Sequence, residues 1–517
     1  MTNKGSVKKR FAISVSTNLL RALFGFLTGL LVARGLKPAG YGDLTFLLGS
    51  FVAIRSLLDM GTSSAFFTFI SQRQRCRRFY LIYAAWLAFQ FLLSILMVAI
   101  ILPDSIIARV WLGNSREVIL VAFVASFMQQ QVWMTISQLG ESARQTAKVQ
   151  GMGLLVVTAH FIVVLILMTC NLLSAVSILL ALIVEFVIAV VITISLLKSS
   201  TTTAVDQPPD SSFKETISEY WTFCRPLLLL SLFTFLYEFA DRWFLQRFGG
   251  ADQQGFYQIA AQFAAVSLLA TTSILNILWK EIAEASDRGN SERVALIYKK
   301  VSRGLFMLGA VISCFLVPWS EQIVGTMLGS AYKDAWPVLA IMFMYPVHQS
   351  MGQVNGTMFM ACGQTKAYMI VSIVGMVISL PVSYFLLAPN AVSYIGGMQL
   401  GALGMAIKMV GMNILLVNIQ AWIISRYHGW YYEWKYQVIG VFSVLALGYL
   451  VKVSAWSIVG EVISTMGKIK LTGILLVSGG VYSAAVICLI WLFPTIAGVD
   501  HQEIRAFVNK CRSTVRI

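Results

Sequence analysis

Charge is what this sequence has least of. Only 12% of its 517 residues are charged, about half the share found in ordinary soluble domains. Hydrophobic residues make up 58% and the mean hydropathy is +0.76, so there is too little polar surface to cover a water-soluble protein of this size. That excludes a soluble enzyme. No GxxxxGK[ST] loop is present, so this chain does not hydrolyse ATP. The seven cysteines form no CxxC pair, and Cys170, Cys224, Cys314 and Cys488 lie in or at the ends of apolar stretches. Neither a disulfide framework nor a zinc site is indicated, and nothing calls for a cofactor. Acidic residues are scarcer still, 23 against 39 Lys and Arg, for a net charge of +16. The excess is either a topology signal in the loops or a surface for anions.

What the sequence has in abundance is long apolar runs. Measured against the roughly 20 residues a bilayer-spanning helix needs, they give fourteen spans: 11–35, 41–70, 79–102, 117–139, 149–170, 173–197, 219–247, 255–283, 302–326, 335–361, 366–387, 399–425, 435–453 and 471–493. Outer-membrane strands would instead alternate over runs of about ten residues. The first span contains Arg21 and ends in Ala33-Arg34-Gly35-Leu36-Lys37-Pro38, not in a small-residue cleavage site, so it reads as a retained helix and not a signal peptide. The expected fold is an all-α integral membrane protein of about fourteen helices.

The basic residues orient it. With the N-terminus inside, cytoplasmic segments hold about 25 of the 39 Lys and Arg, the outer loops about 9, and about 5 lie within spans. By the positive-inside rule both termini are cytoplasmic, in an inner or plasma membrane. The stretch 198–218 is rich in Ser, Thr and Pro and reads as a flexible cytoplasmic linker. No loop could house a soluble catalytic domain. No outer loop exceeds about 20 residues, which counts against a membrane-bound glycan polymerase or ligase.

An internal repeat divides the chain. Gly35, four residues, Gly40 and Tyr41 recur as Gly250, four residues, Gly255 and Phe256, an offset of 215. Leu112-Gly113-Asn114 matches Leu328-Gly329-Ser330 at 216, and Gly140 with Arg144 pairs more loosely with Gly363 and Lys366 at 223. Any one match is weak; three in order are not. Six spans separate the copies, so the lobes share one orientation, as in transporters whose substrate site lies between parallel repeats. The expected organisation is an N-lobe at 1–197, the linker at 198–218, a C-lobe at 219–425, and two further helices with a basic cytoplasmic tail at 426–517.

The segment Ala33-Arg34-Gly35-Leu36-Lys37-Pro38-Ala39-Gly40-Tyr41-Gly42 resembles the "AR-x-LGP-x-x-YG" stretch of polysaccharide transporters of the MOP superfamily, the Wzx-type flippases, with Lys37 in place of the family's glycine. Leu58-Asp59-Met60-Gly61, Leu328-Gly329-Ser330-Ala331-Tyr332 and Gly363-Gln364-Thr365-Lys366 are similar to further family stretches in the same order, over about residues 11–425. The resemblance implies two six-helix lobes and translocation of an undecaprenyl-pyrophosphate-linked oligosaccharide from the inner to the outer leaflet, for O-antigen or exopolysaccharide synthesis. The implied partners are that lipid-linked oligosaccharide, a proton or cation for coupling, and a polysaccharide polymerase; no nucleic acid is implied. The near rivals are a lipid II-type flippase, whose first-helix motif differs, and a MATE-like cation-coupled exporter, whose cationic drugs favour an acidic or apolar cavity.

Charges inside spans are costly and mark candidate sites. In span one, Ser14, Asn18, Arg21 and Thr28 share one helical face. Arg21 lies on the order of 15 Å from the cytoplasmic end. It either meets an anionic headgroup or pairs with Asp59. Arg55 and Asp59 are i, i+4, so they either form an intrahelical pair or bind substrate (Arg55) and a coupling ion (Asp59). In span seven, Ser231, Thr234, Glu238 and Asp241 form one polar face, with Arg242 four residues from Glu238. Two carboxylates one turn apart resist double ionisation, which suits ion coupling; the alternative is a Glu238–Arg242 pair with Asp241 solvated. Arg225 precedes Pro226, a kink point, and either snorkels to inner headgroups or binds substrate. Glu185 stands mid-span among Leu, Ile and Val, either neutral or paired with a basic group of another helix. Lys408 is a mid-span cation of unknown facing. Span ten is unusually polar, with His348, Gln349, Gln353 and Asn355 offering either a sugar-facing wall or packing contacts; His348 alone is no metal site. The candidates for substrate binding are thus Arg21, Arg55, Arg225, Arg242, Lys408, Asn18 and Gln353, and those for ion coupling Asp59, Glu185, Glu238 and Asp241.

Overall fold

The computed structural model describes residues 4–198, 212–390, 396–459 and 468–497. Most of the linker expected at 198–218 and the basic tail beginning at Arg505 lie outside the described residues. Among the described residues the chain is helical, with no strand. Helices α1 (Lys4–Asp59), α2 (Thr62–Gln72), α3 (Arg77–Leu96), α4 (Asp104–Val110), α5 (Arg116–Phe127), α6 (Trp133–Ser142), α7 (Thr146–Thr169) and α8 (Ala175–Lys198) precede the linker. After it come α9 (Phe213–Cys224), α10 (Leu227–Phe244), α11 (Ala251–Asp287), α12 (Ser291–Leu316), α13 (Ser320–Met327), α14 (Trp336–Met342), α15 (Tyr345–Ala361), α16 (Thr365–Leu387), α17 (Gly401–His428), α18 (Lys435–Val459) and α19 (Lys468–Leu492).

This is a multi-pass membrane protein fold. Among the described residues nine helices are long and apolar enough to cross a bilayer, or eleven if each of two bent pairs counts as one crossing. The sequence expectation of about fourteen splits elements differently. The first two expected spans are one continuous element, α1, broken only at Lys37, where φ is 59°. Pro38 explains the break, because a residue before proline is pushed out of the helical region. The second expected span ends early as well: Met60 and Gly61 have φ of 47° and 86°, and α2 starts afresh at Thr62. The seventeen residues of α15 carry too many amides to pass as an apolar span.

The chain packs as two compact units, one of Met1–Gln258 with Met376–Gly401, the other of Ile259–Gly375 with Ala402–Ile517. Within the first, Phe66, Phe69, Phe79, Tyr83 and Cys224 form an aromatic core that draws α9 onto α2 and α3. Also in the first unit, the two copies of the repeated glycine segment meet. A Cβ on Gly42 would lie 1.8 Å from Ala251 O, and one on Gly255 would lie 2.2 Å from Pro38 O. Only glycine permits that backbone approach, which is a physical reason for Gly255 of the second copy and for Gly42, one residue beyond the first copy of the motif. Gln246 Nε2 donates to Asp43 Oδ1 at 2.7 Å beside it. In the second unit, Phe306, Cys314, Val347, Val444, Tyr482 and Val486 form one core cluster, which ties α18 and α19 to α12 and α15.

Candidate functional site

Asn18 and Arg21, on the polar stripe of α1, line a cavity of about 410 Å³ within the first unit. Its other walls are Gln129, Gln130, Trp133, Ser137 and Glu141 and, on α7, Gln150, Gly153 and Val157. Gly153 makes room for the cation: a Cβ there would stand 3.2 Å from the Arg21 guanidinium carbon. The glutamines reach the cavity because the backbone between α5 and α6 is wound as a π-helix over Met128–Val132. A π-turn inserts one extra residue and rotates the side chains around it, a distortion often found at functional sites. Glu141 is the carboxylate on this wall, and the charge of Arg21 acts on it electrostatically.

Arg55 reaches the same wall, its Nη1 donating to Gln130 Oε1 at 3.2 Å. The i, i+4 pair with Asp59 is not formed. Asp59 Oδ1 instead accepts the backbone N–H of Ser63 at 2.9 Å, the Thr62 hydroxyl at 3.1 Å and the Ser63 hydroxyl. The carboxylate thus spans the broken turn at Met60–Gly61 and satisfies one orphan backbone donor, Ser63 N–H, at the start of α2. The pairing of Arg21 with Asp59 is likewise absent.

Glu185 on α8 has found a basic group on another helix. His160 Nδ1 lies 2.8 Å from Glu185 Oε2, with 17% and 10% of the two side chains exposed. Glu185 Oε1 is buried without a hydrogen-bond partner. His160 follows Gly153, Val156 and Val157 at helical spacing, so it continues the cavity-lining face of α7. His160 is not among the residues expected from sequence, although it is the one His, Lys, Arg, Asp or Glu in the span 149–170.

The span-seven residues separate. Arg225 sits exposed at the break between α9 and α10, where the axis bends by 58°, the expected effect of Pro226. Arg242 Nη1 donates to Glu238 O at 3.0 Å and stands 4.0 Å from Glu238 Oε2. Its side chain lies across Gly49. Asp241 faces elsewhere: it is only 4% exposed and accepts the Ser383 hydroxyl of α16 at 2.6 Å. Glu238 and Asp241 therefore do not form the single polar face that their spacing suggested, and Asp241 is not solvated.

In the second unit Lys408 is 1% exposed, enclosed by protein. The polar residues of α15 divide. Asn355 is fully buried, accepting from Tyr298 Oη at 2.7 Å and donating to Val417 O at 2.9 Å. His348 lies 3.2 Å from Gln437. Gln349 and Gln353 are half-buried. Packing accounts for Asn355 and His348. Among the described residues no three His, Cys, Asp or Glu side chains are placed to hold a metal ion.

A cation, several amides, an indole and a carboxylate thus surround one cavity, beside apolar Met134, Val149, Val156 and Phe186. The family model described as "Polysaccharide biosynthesis protein" matches residues 7–276, just over half of the chain and all of this cavity. The chain belongs to the polysaccharide biosynthesis protein family. A second model, MatE, matches residues 226–385. No curated protein sequence matches the chain significantly. Solved structures do. One titled as the lipid II flippase MurJ in an inward closed conformation is 11% identical, covering 92% of this chain and 98% of its own, with a TM-score of 0.65. An inward-facing multidrug resistance MATE family transporter of the MOP superfamily is 16% identical over 80% and 98%, with a TM-score of 0.58. A MOP superfamily transporter from Pyrococcus furiosus, titled for the reverse polarity of its binding pocket, is 16% identical over 81% and 94%, with a TM-score of 0.55. The chain shares the fold of these neighbours, which are titled as a flippase and as transporters.

Proposed function

We propose that the chain moves an undecaprenyl-pyrophosphate-linked oligosaccharide from the inner to the outer leaflet, in the service of surface polysaccharide synthesis. The observation that carries this reading is the cavity on α1 and α7, where Arg21 stands among Asn18, Gln129, Gln130 and Gln150. A guanidinium suits a pyrophosphate, which it engages with two parallel hydrogen bonds, and amides with Trp133 suit sugar hydroxyls and faces. Arg55, held by Gln130, stands behind the same wall. Arg242, Arg225 and Gln353, each partly or fully exposed, are secondary candidates for contacts along the path; Lys408 is enclosed by protein.

Movement would follow from rocking of the lobes at 1–197 and 219–425, with the Gly42–Ala251 and Gly255–Pro38 approaches as the contact that parts. The distribution of basic residues supports an inner-membrane location with both termini cytoplasmic. His160 and Glu185 are the coupling pair in this reading, since a buried imidazole–carboxylate pair is a place to load and release one proton. The MatE match leaves a cationic-drug exporter as the rival, and Arg21 in the cavity weighs against it.

The test is deletion of the chain in a strain without a second flippase, followed by assay of displayed glycan and of lipid-linked oligosaccharide. Loss of display with intermediate accumulating on the inner face is expected. Normal display overturns the reading.

A further inference from the structure

Helix α3 is flanked by two apolar grooves within the first unit, one of about 650 Å³ and one of about 750 Å³. The first runs from Arg78 past Leu81, Ala85 and Phe89, with Trp221 of α9 on its far wall. The second starts at Arg77 and passes between Ala84 and Phe91 on α3 and residues of α5 and α6. Each groove therefore has an apolar floor and one arginine at its polar end. From Arg78 to Phe89 the helix rises about 16 Å, roughly half of a 30 Å hydrocarbon core, the depth of one leaflet.

The charges around this end of α3 are unequally engaged. Arg73 and Arg75 share Glu219, at 2.6 and 2.7 Å, and Arg75 lies over the rings of Phe69 and Phe79. Glu215, the other carboxylate on α9, is tied into the capping box with Ser212. Arg77 and Arg78 are exposed and have no carboxylate within 4 Å among the described residues. Two unneutralised guanidiniums sit at the positive end of a helix dipole, with a leaflet-deep apolar slot below each.

We propose that α3 carries a binding site for an anionic glycerophospholipid, its phosphate held by Arg77 and Arg78 and its acyl chains lying in the flanking grooves. The depth favours ordinary acyl chains, which end near the bilayer midplane, over a polyprenyl chain several times longer. Basic clusters at the ends of membrane helices recruit anionic lipid in this way. Break of the axis between α9 and α10 sets α9 at an angle, so that Phe213, Ile217 and Trp221, all exposed, line one groove as an interfacial wall. The site is independent of the transported substrate.

The full chain, reconstituted in vesicles of equal parts phosphatidylcholine and phosphatidylglycerol and released into detergent, is examined for retained lipid by native mass spectrometry. Phosphatidylglycerol should be retained over phosphatidylcholine, and the preference should fall by roughly fivefold for each arginine lost in Arg77→Gln and Arg78→Gln. Ala85→Trp, which fills one groove and leaves both arginines, should reduce retention of phosphatidylglycerol, while Arg77→Lys with Arg78→Lys should keep the preference. Equal retention of the two lipids by the parent chain overturns the site. So does an unchanged preference in the double glutamine variant, or displacement of phosphatidylglycerol by undecaprenyl phosphate at equal concentration.

Discussion

His160 and Glu185 stand 2.8 Å apart, Nδ1 against Oε2, one on α7 and one on α8, with most of both side chains out of reach of solvent. Removing one member leaves the other buried without its partner, which costs more than the pair contributes. His160→Leu or Glu185→Leu alone should lower stability by about 3 kcal/mol, and the double variant should recover most of that loss. Thermal unfolding of the three proteins in one detergent checks this. Additive losses would show that the two side chains do not act as a pair.

The coupling role is separable from that stability effect. Glu185→Gln keeps a hydrogen bond to the imidazole but cannot release a proton. In proteoliposomes it should still exchange substrate at equal pH and should no longer be accelerated by an imposed pH gradient. A gradient response equal to that of the parent would remove the pair from coupling.

Arg21 should behave as a substrate cation. Arg21→Ala should cut export by at least about tenfold, the effect of losing roughly 1.4 kcal/mol of charge-assisted hydrogen bonding, while Arg21→Lys retains part of it because the charge survives without the two-pronged geometry. Export by whole cells, normalised to the amount of protein in the membrane, is the measurement. Full export by the alanine variant would take Arg21 out of the site.

Asp59 was one of four coupling candidates by sequence, and its hydrogen bonds to Ser63 and Thr62 give it a different task. If it holds the start of α2, Asp59→Asn should preserve stability and export, since the amide keeps the Oδ1 acceptor that takes all three hydrogen bonds. Asp59→Ala should cost about 1 kcal/mol and impair export with it. An inactive but fully stable asparagine variant would return Asp59 to the coupling list.

Much of this was legible in the sequence, and the reasons for the rest are physical. The all-helical membrane fold followed from composition and run length, and the kink at Pro226 from one residue. The glycine repeat pointed to segments that do touch, at Gly42 and Gly255. What the sequence could not show is which way a side chain faces on a helix that is apolar all round. Arg21 and Lys408 are both mid-span cations; one lines a cavity and the other is enclosed. Asp241 parts from Glu238 because the Ser383 hydroxyl draws it to α16. Gln129 and Gln130 gained their place through a π-turn that no period of 3.6 reveals. His160 was legible as the lone histidine in its span, but its partner lies 25 positions along the chain.

The paired glycines give the last test. At both, an added Cβ would lie too close to a carbonyl oxygen, 1.8 Å for Gly42 and 2.2 Å for Gly255, so the backbones must separate to admit any side chain. Overpacking of this kind costs about 1–3 kcal/mol. Gly42→Val and Gly255→Val should each destabilise the chain by that amount. Because one separation relieves both clashes, the double variant should cost less than the two losses combined. The same separation parts the segments that the lobe-rocking reading needs to open, so cysteines placed at Ala39 and Asp252 in an otherwise cysteine-free background should cross-link less readily in either valine variant than in the parent. Equal cross-linking together with additive losses in stability would show that the two glycines relieve separate strains and that the contact between their segments is not the one that opens.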